Sequence, residues 1–355
     1  MKKKLLSLAL AAMMVFSLAA CGGSSAANTN ELALITDVGT IDDKSFNQGS
    51  WEGLEKYATE KNITHKYYKP AEKSDEACLT SIDLAVKGGA KVIVTPGFLF
   101  ESPIGQAQSK YPDVKFIILD AAPVVDGNVT INDNVMSIFY AEEQAGYLAG
   151  YAAVTEGYTQ LGFMGGIAVP AVIRYGYGFI QGADAAAKDL GVSNVNIKYT
   201  YTGNFDATPE NQAKAAAWYN EGTECIFACG GAVGNSVMKA AEAAGKYVIG
   251  VDVDQSSESE TVITSAMKQL GTSVYDALAS YYDGTFSGGT SVTLTAKENG
   301  VQLPMETSKF KVFDQAKYDE LYKGLQDGTI VVGNDTIAAD AAEVPTEIVT
   351  VESIQ

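Results

Sequence analysis

The residues best suited to chemistry lie just past short apolar runs. The first group is Asp37, Asp42, Asp43, Lys44, Ser45, Phe46 and Asn47, and a second is Pro96-Gly97-Phe98-Leu99-Phe100. Asp120 follows a third run, and further along come Gly165-Gly166, Asn204-Phe205-Asp206, Gly230-Gly231 and Asp252-Val253-Asp254. Carboxylates accept hydrogen bonds from hydroxyl and N–H groups, aromatic faces stack on flat rings, and glycines let a ligand approach the main chain. The set suits a neutral, hydroxylated, aromatic ligand. It suits phosphate badly, because acids crowd the site and no Gly-x-x-x-x-Gly-Lys loop is present. Each residue also has a plainer use. Asp42 is expected to serve as a helix N-terminal charge, and Phe46 fits a helix core position as well as a ligand face. Asp252 directly follows an apolar strand and is read as functional, and Phe205 lies in a polar loop where a core role is less natural.

Catalytic and metal chemistry find little support. His65 is the only histidine, which disfavours histidine-built zinc sites and Ser-His-Asp triads. Asp252 and Asp254 could in principle act as acid and base, but a single Asp-Val-Asp is a weak signal. No cofactor is called for. Cys225 and Cys229 flank an apolar run read as a strand, about 13 Å apart and too far for a disulfide. With Cys78, at a core position of a helix, they read as small buried residues.

The elements that would position these residues alternate. Leu32–Ile35, Tyr67-Tyr68, Val92–Val94 and Phe116–Leu119 read as strands. Leu161–Met164, Val195–Thr200, Cys225–Ala228, Val248–Val251 and Val262–Ala266 continue the series. Helices are expected at 45–60, 74–86, 142–154, 172–188, 211–220, 233–244, 272–282 and 318–326, from apolar residues spaced by three and four. Ser45 and Gln48 form a possible capping box for the first. Short strands are expected near 292–295, 300–303 and 311–313. Apolar strands separated by helices mean parallel sheets covered on both faces, and ligands bind such sheets at the strand carboxyl ends. The rhythm runs twice, so the fold class is α/β with two doubly wound parallel-sheet lobes. The expected division is 31–134 with 256–288 as one lobe, 135–255 with 289–343 as the other, and 344–355 as a tail.

The amino terminus sets a compartment. Lys2-Lys3-Lys4, an apolar stretch through Phe16 and Leu18-Ala19-Ala20-Cys21 read as a signal peptide (1–20) ending in a lipoprotein box. Residues 21–30, small and polar, read as a tether, so the chain is expected on the extracytoplasmic side of a cell membrane, lipid-anchored through Cys21. No second long apolar run is present. A net charge of −18 argues against nucleic acid or an anionic membrane surface as partner. A hydrophobic content of 46% excludes disorder.

Several segments, in order, resemble the basic membrane protein family of bacterial nucleoside-binding lipoproteins. They are Asp43-Lys44-Ser45-Phe46-Asn47, Gly97–Phe100, Ala145-Gly146-Tyr147-Leu148-Ala149-Gly150, Leu161–Gly166, Gly250–Gln255 and Thr264–Lys268. The resemblance implies a type I periplasmic-binding-protein fold, hinged, with a ligand in the interlobe cleft, and an ABC transporter permease as partner of a monomeric chain. It implies nucleosides, purine nucleosides foremost, as ligand. Phe46 and Phe205 resemble the pair that sandwiches the base, and Asp120 the carboxylate that reads base N–H groups. Asp252 resembles the acceptor for ribose hydroxyls, Lys268 and Asn47 add bonds, and Gly231 supplies backbone contact. Asp43 matches by position, with Asp37 and Asp42 as neighbouring alternatives. Arg174-Tyr175-Gly176 departs from the bulkier residues expected there. A sugar or signal receptor on the same fold, a nucleoside hydrolase and a surface adhesin are the competing readings.

Overall fold

The computed structural model describes residues 29–37 and 39–354; the signal peptide, the lipoprotein box and most of the tether lie outside them. The first half runs β1 (Leu32–Ile35), α1 (Phe46–Lys61), β2 (His65–Tyr68), α2 (Asp75–Lys87), β3 (Val92–Pro96), α3 (Glu101–Lys110) and β4 (Lys115–Leu119). A two-stranded flap, β5 (Val124–Val125) and β6 (Asn128–Val129), precedes β7 (Val135–Tyr140). The rhythm then repeats as α4 (Glu142–Thr155), β8 (Gln160–Gly165), α5 (Pro170–Leu190), β9 (Asn196–Tyr201), α6 (Pro209–Asn220), β10 (Cys225–Cys229), α7 (Val233–Ala244) and β11 (Tyr247–Asp252). The chain ends with β12 (Val262–Lys268), α8 (Leu270–Tyr282), β13 (Thr290–Leu294), β14 (Val301–Gln302), α9 (Gln315–Asp327) and β15 (Thr350–Ser353).

One sheet has the order β13-β7-β4-β3-β1-β2, and all its pairs are parallel. The other has the order β14-β12-β11-β10-β8-β9-β15, parallel except for β14. Both place their second strand outside the first and their third on its other side, so the two lobes share one topology. Central strands β3 and β10 are buried at every residue, as expected for sheets covered on both faces.

The sheets move the expected lobe boundaries. Strand β7 pairs with β4 in the first lobe, β12 with β11 in the second, and β13 with β7 in the first. Each boundary, placed at 135, 256 and 289, therefore falls one strand too early. The chain crosses between lobes near Ala141, Gln269 and Thr295. The segment 344–355 is not a free tail, since β15 pairs with β9 as an edge strand. Residues 311–313 form a bend instead of a strand, held by the Glu156 carboxylate, which accepts from three successive backbone N–H groups there. Cys78, Cys225 and Cys229 are buried free thiols.

Helices α4 and α5 pack closely because glycines on each face the backbone of the other. A Cβ on Gly146 would lie 2.2 Å from the Tyr175 carbonyl, and one on Gly178 would lie 2.0 Å from the Glu143 carbonyl. That approach brings the first turns of the two helices, at the edge of the cleft, side by side.

Candidate functional site

A cavity of about 380 Å³ opens between the carboxyl ends of the two sheets. All eight ligand residues expected from the sequence line it: Asp43, Phe46, Asn47, Asp120, Phe205, Gly231, Asp252 and Lys268. Asp37, Glu101, Val172, Tyr175 and Asn235 line it too. Of these, Asp37 carried a signal, as the first carboxylate after β1; Tyr175 lies in the segment that departs from the family pattern and forms wall nonetheless.

The shared topology explains the arrangement. Asp120 directly follows the fourth strand of one lobe, and Asp252 ends the fourth parallel strand of the other. Both have left-handed backbone, φ 58° and 66°, which turns their side chains inward at some conformational cost. They meet on one ammonium. Lys268 Nζ contacts Asp120 Oδ2 directly, lies 3.8 Å from Asp252 Oδ1 and 3.2 Å from Glu142 Oε1. The rings of Phe46, Tyr140 and Tyr175 surround the same ammonium at 4.9, 5.4 and 5.3 Å, a favourable cation–π setting. The geometry thus groups Asp120 with Asp252 at one end of the cavity. Asp120 Oδ1 is buried and has no protein partner, leaving an acceptor free for a ligand donor.

Three carboxylates around one ammonium leave the cluster acidic. Burial, with Glu142 and Asp252 adding to it against the pull of Lys268, pushes Asp120 up to about 7. Burial raises Asp252 as well, opposed by Lys268 and by the Ser45 hydroxyl. The surrounding acids hold Lys268 well above the ordinary lysine value despite its burial.

Asp43 and Asn47 act differently from expectation. The Asp43 carboxylate accepts from the backbone N–H groups of Ser45, Asn47 and Gln48 at 2.8, 3.0 and 3.1 Å, and from Asn47 Nδ2 at 2.8 Å. It, and not a Ser45–Gln48 box, caps α1. The Ser45 hydroxyl crosses the cleft to donate to Asp252 at 2.5 Å. Asn47 donates to Asp37 and Asp43 and accepts from the Asp37 N–H at 3.1 Å, which uses all its donors and its acceptor oxygen. Asn47, itself held by Asp43, braces Asp37. Its Oδ1 takes Gly39 N–H at 2.7 Å and Asn47 Nδ2 at 2.8 Å, while Oδ2 is on the side of Gly97 and Phe46.

Phe46 comes from one lobe and Phe205 from the other. The Phe205 loop is clamped by Ala232 N–H on its carbonyl at 3.1 Å and by Asn211, which donates to Asn204 and Asp206 at 3.0 and 2.9 Å. Its ring lies over Gly166, where any Cβ would sit 2.3 Å from it. Gly231 has φ 54°, open only to residues that tolerate left-handed backbone. Among the described residues, no group of three or more His, Cys, Asp or Glu is placed to hold a metal ion.

Comparison with known proteins agrees with this architecture. A family model described as ABC transporter substrate-binding protein, PnrA-like, matches residues 30–332. The ABC transporter nucleoside-binding protein BmpA of Lactococcus lactis is 30% identical over 94% of this chain and 99% of its own length. A CD4+ T-cell-stimulating antigen of Listeria monocytogenes is 28% identical over the same shares. Among solved structures, an ABC transporter solute-binding protein from Aeropyrum pernix superposes with a TM-score of 0.74 at 23% identity, covering 86% of this chain and 94% of its own. One from Conexibacter woesei gives 0.69 at 24% identity, covering 85% and 98%.

Proposed function

Since the chain belongs to the Bmp family of PnrA-like ABC transporter substrate-binding proteins, we propose that its ligand is a nucleoside, with purine nucleosides preferred. The family binds substrates and does not turn them over, which sets the hydrolase reading aside. The observation that carries the nucleoside reading is the pairing of Phe46 and Phe205, from opposite lobes, with two aspartates gathered on Lys268 in one cavity. In this reading the base lies between the two phenylalanine side chains with its polar edge toward Asp37. The ribose hydroxyls donate to Asp120 Oδ1 and Asp252. Asp120 thereby moves from the base, where the family resemblance put it, to the sugar. The nucleoside-binding name of the Lactococcus relative supports the ligand class. Delivery to a permease, and anchoring through a lipid on Cys21 outside the cytoplasm, complete the proposal; a relative from Pyrococcus abyssi named a lipoprotein supports the anchor.

Calorimetry with adenosine, inosine, guanosine, cytidine, AMP and free ribose tests the ligand class. Nucleosides are expected to bind, and AMP to bind at least about tenfold more weakly, because its phosphate would meet like charge in a carboxylate-lined cavity. Equal affinity for AMP and adenosine would count against the acidic cavity as the site.

A pH series tests the sugar contact. A hydroxyl that donates to Asp120 favours the ionised carboxylate, so binding should lower its pKa from the value near 7. Affinity is then expected to be level above pH 8 and to fall below pH 7, by up to about tenfold per unit. Affinity unchanged between pH 8 and 6 would remove Asp120 from the contact.

A further inference from the structure

We propose that Glu142 and Arg174 form a buried relay outside the cavity that positions Lys268 and sets how tightly the two cleft aspartates hold a ligand. The proposal rests on the reading of the cavity as the ligand site. Neither residue lines the cavity. Glu142 is the first residue of α4 and is fully buried. Its Oε2 accepts from Arg174 Nε at 2.5 Å, and its Oε1 faces Lys268 Nζ at 3.2 Å, an ion-pair distance without hydrogen-bond alignment. Arg174, in the first turns of α5, also reaches Asp335 through Nη1 at 3.5 Å. The close glycine contact between α4 and α5 is what sets the two side chains together.

A carboxylate buried this completely is costly, and an apolar side chain would pack the position at less cost. Its placement points to a different role. Glu142 follows the crossing at Ala141 by one residue, and Lys268 precedes the crossing at Gln269 by one. The relay therefore ties two interlobe crossings together and orients the ammonium from behind. Charge gives it a second effect. Asp120, Glu142 and Asp252 surround Lys268, and Glu143 and Asp335 lie near Arg174. Arg174 supplies the second cation and keeps Glu142 from pressing its charge on the cleft aspartates. Removing Arg174 should favour protonated aspartates, and neutralising Glu142 should favour ionised ones.

The experiment compares the parent with Arg174→Met, Arg174→Lys and Glu142→Gln, titrated with adenosine and inosine from pH 6 to 8.5. Arg174→Met should move the pH midpoint of binding upward by about half to one unit, a loss of about twofold to fivefold at pH 7 that approaches threefold to tenfold toward pH 6. Glu142→Gln should move it downward, and Arg174→Lys should restore the parent midpoint. A scaffold role would lower the melting temperature in all three without opposite shifts, and that result overturns the proposal. A double-mutant cycle of Arg174→Met and Lys268→Met in urea reads the coupling without any ligand. If the parent binds no nucleoside, the reading of the cavity fails, and the cycle alone decides the relay. Non-additive losses uphold it and additive losses overturn it.

Discussion

Replacing Lys268 with methionine is expected to destabilise the protein by about 3–5 kcal/mol at pH 8, the cost of leaving buried charge without its partner. The side chain is 2% exposed and neutralises Asp120, Glu142 and Asp252 at once. Methionine fills much of the same volume and keeps contact with the three surrounding rings, so the loss is electrostatic and not a cavity. Typical domains hold only about 5–15 kcal/mol, and the change should show as a large drop in urea midpoint. The pH sense follows from the direction of the shift. Asp120 already titrates near 7 in the fold against an ordinary value of 3.8, so it disfavours folding progressively as pH rises between those values. Without Lys268 the folded values climb further. The gap between parent and variant should therefore be widest at pH 8 and narrow toward pH 5, where the carboxyls take protons. Equal urea midpoints at pH 8 would show that the cluster is solvated, contrary to its burial.

The second large effect separates the sugar from the base. Asp252→Ala should weaken ribonucleosides by about tenfold to a hundredfold, since hydrogen bonds to a charged group are worth roughly 1.5–3 kcal/mol. A 2′-deoxynucleoside has already lost one donor and should lose less. Phe205 offers a face that does not read the sugar; stacking on aromatic side chains is worth about 1–3 kcal/mol per base. Phe205→Ala should thus weaken a matched ribo and deoxyribo pair by similar factors. The Phe205 loop is held by Asn211 and Ala232 through the backbone and Asn204, not through the ring, so truncation should leave the loop in place. Titrating both variants with one such pair reads the ratio directly. A ribo/deoxy ratio that changes with Phe205→Ala and not with Asp252→Ala would reverse the assignment of the two ends.

The local chain determined a great deal. Apolar strands followed by acids, aromatics and glycines identify the ends of parallel strands; seven site residues read that way line one cavity, and Lys268, named only through the family resemblance, joins them. That works because strand direction and side-chain type are local properties, and parallel sheets collect their carboxyl ends on one side. Some local elements were illegible. Val135–Tyr140 is an apolar run whose identity as a strand comes from pairing with β4 and β13, and Glu101–Lys110 carries Pro103 and Gly105 in a largely polar helix. The lobe boundaries failed for the same reason, because sheet membership depends on partners far away in sequence. Tertiary structure alone decided what each polar atom does. Asp43 and Asn47 have the types and positions of ligand contacts, yet their hydrogen bonds close on α1 and Asp37. Asp120 and Lys268, 148 residues apart, acquire a shared charge only when two separate lobes meet. Side-chain chemistry can be read from sequence, but which acceptors remain free for a ligand depends on distances between lobes that no local pattern encodes.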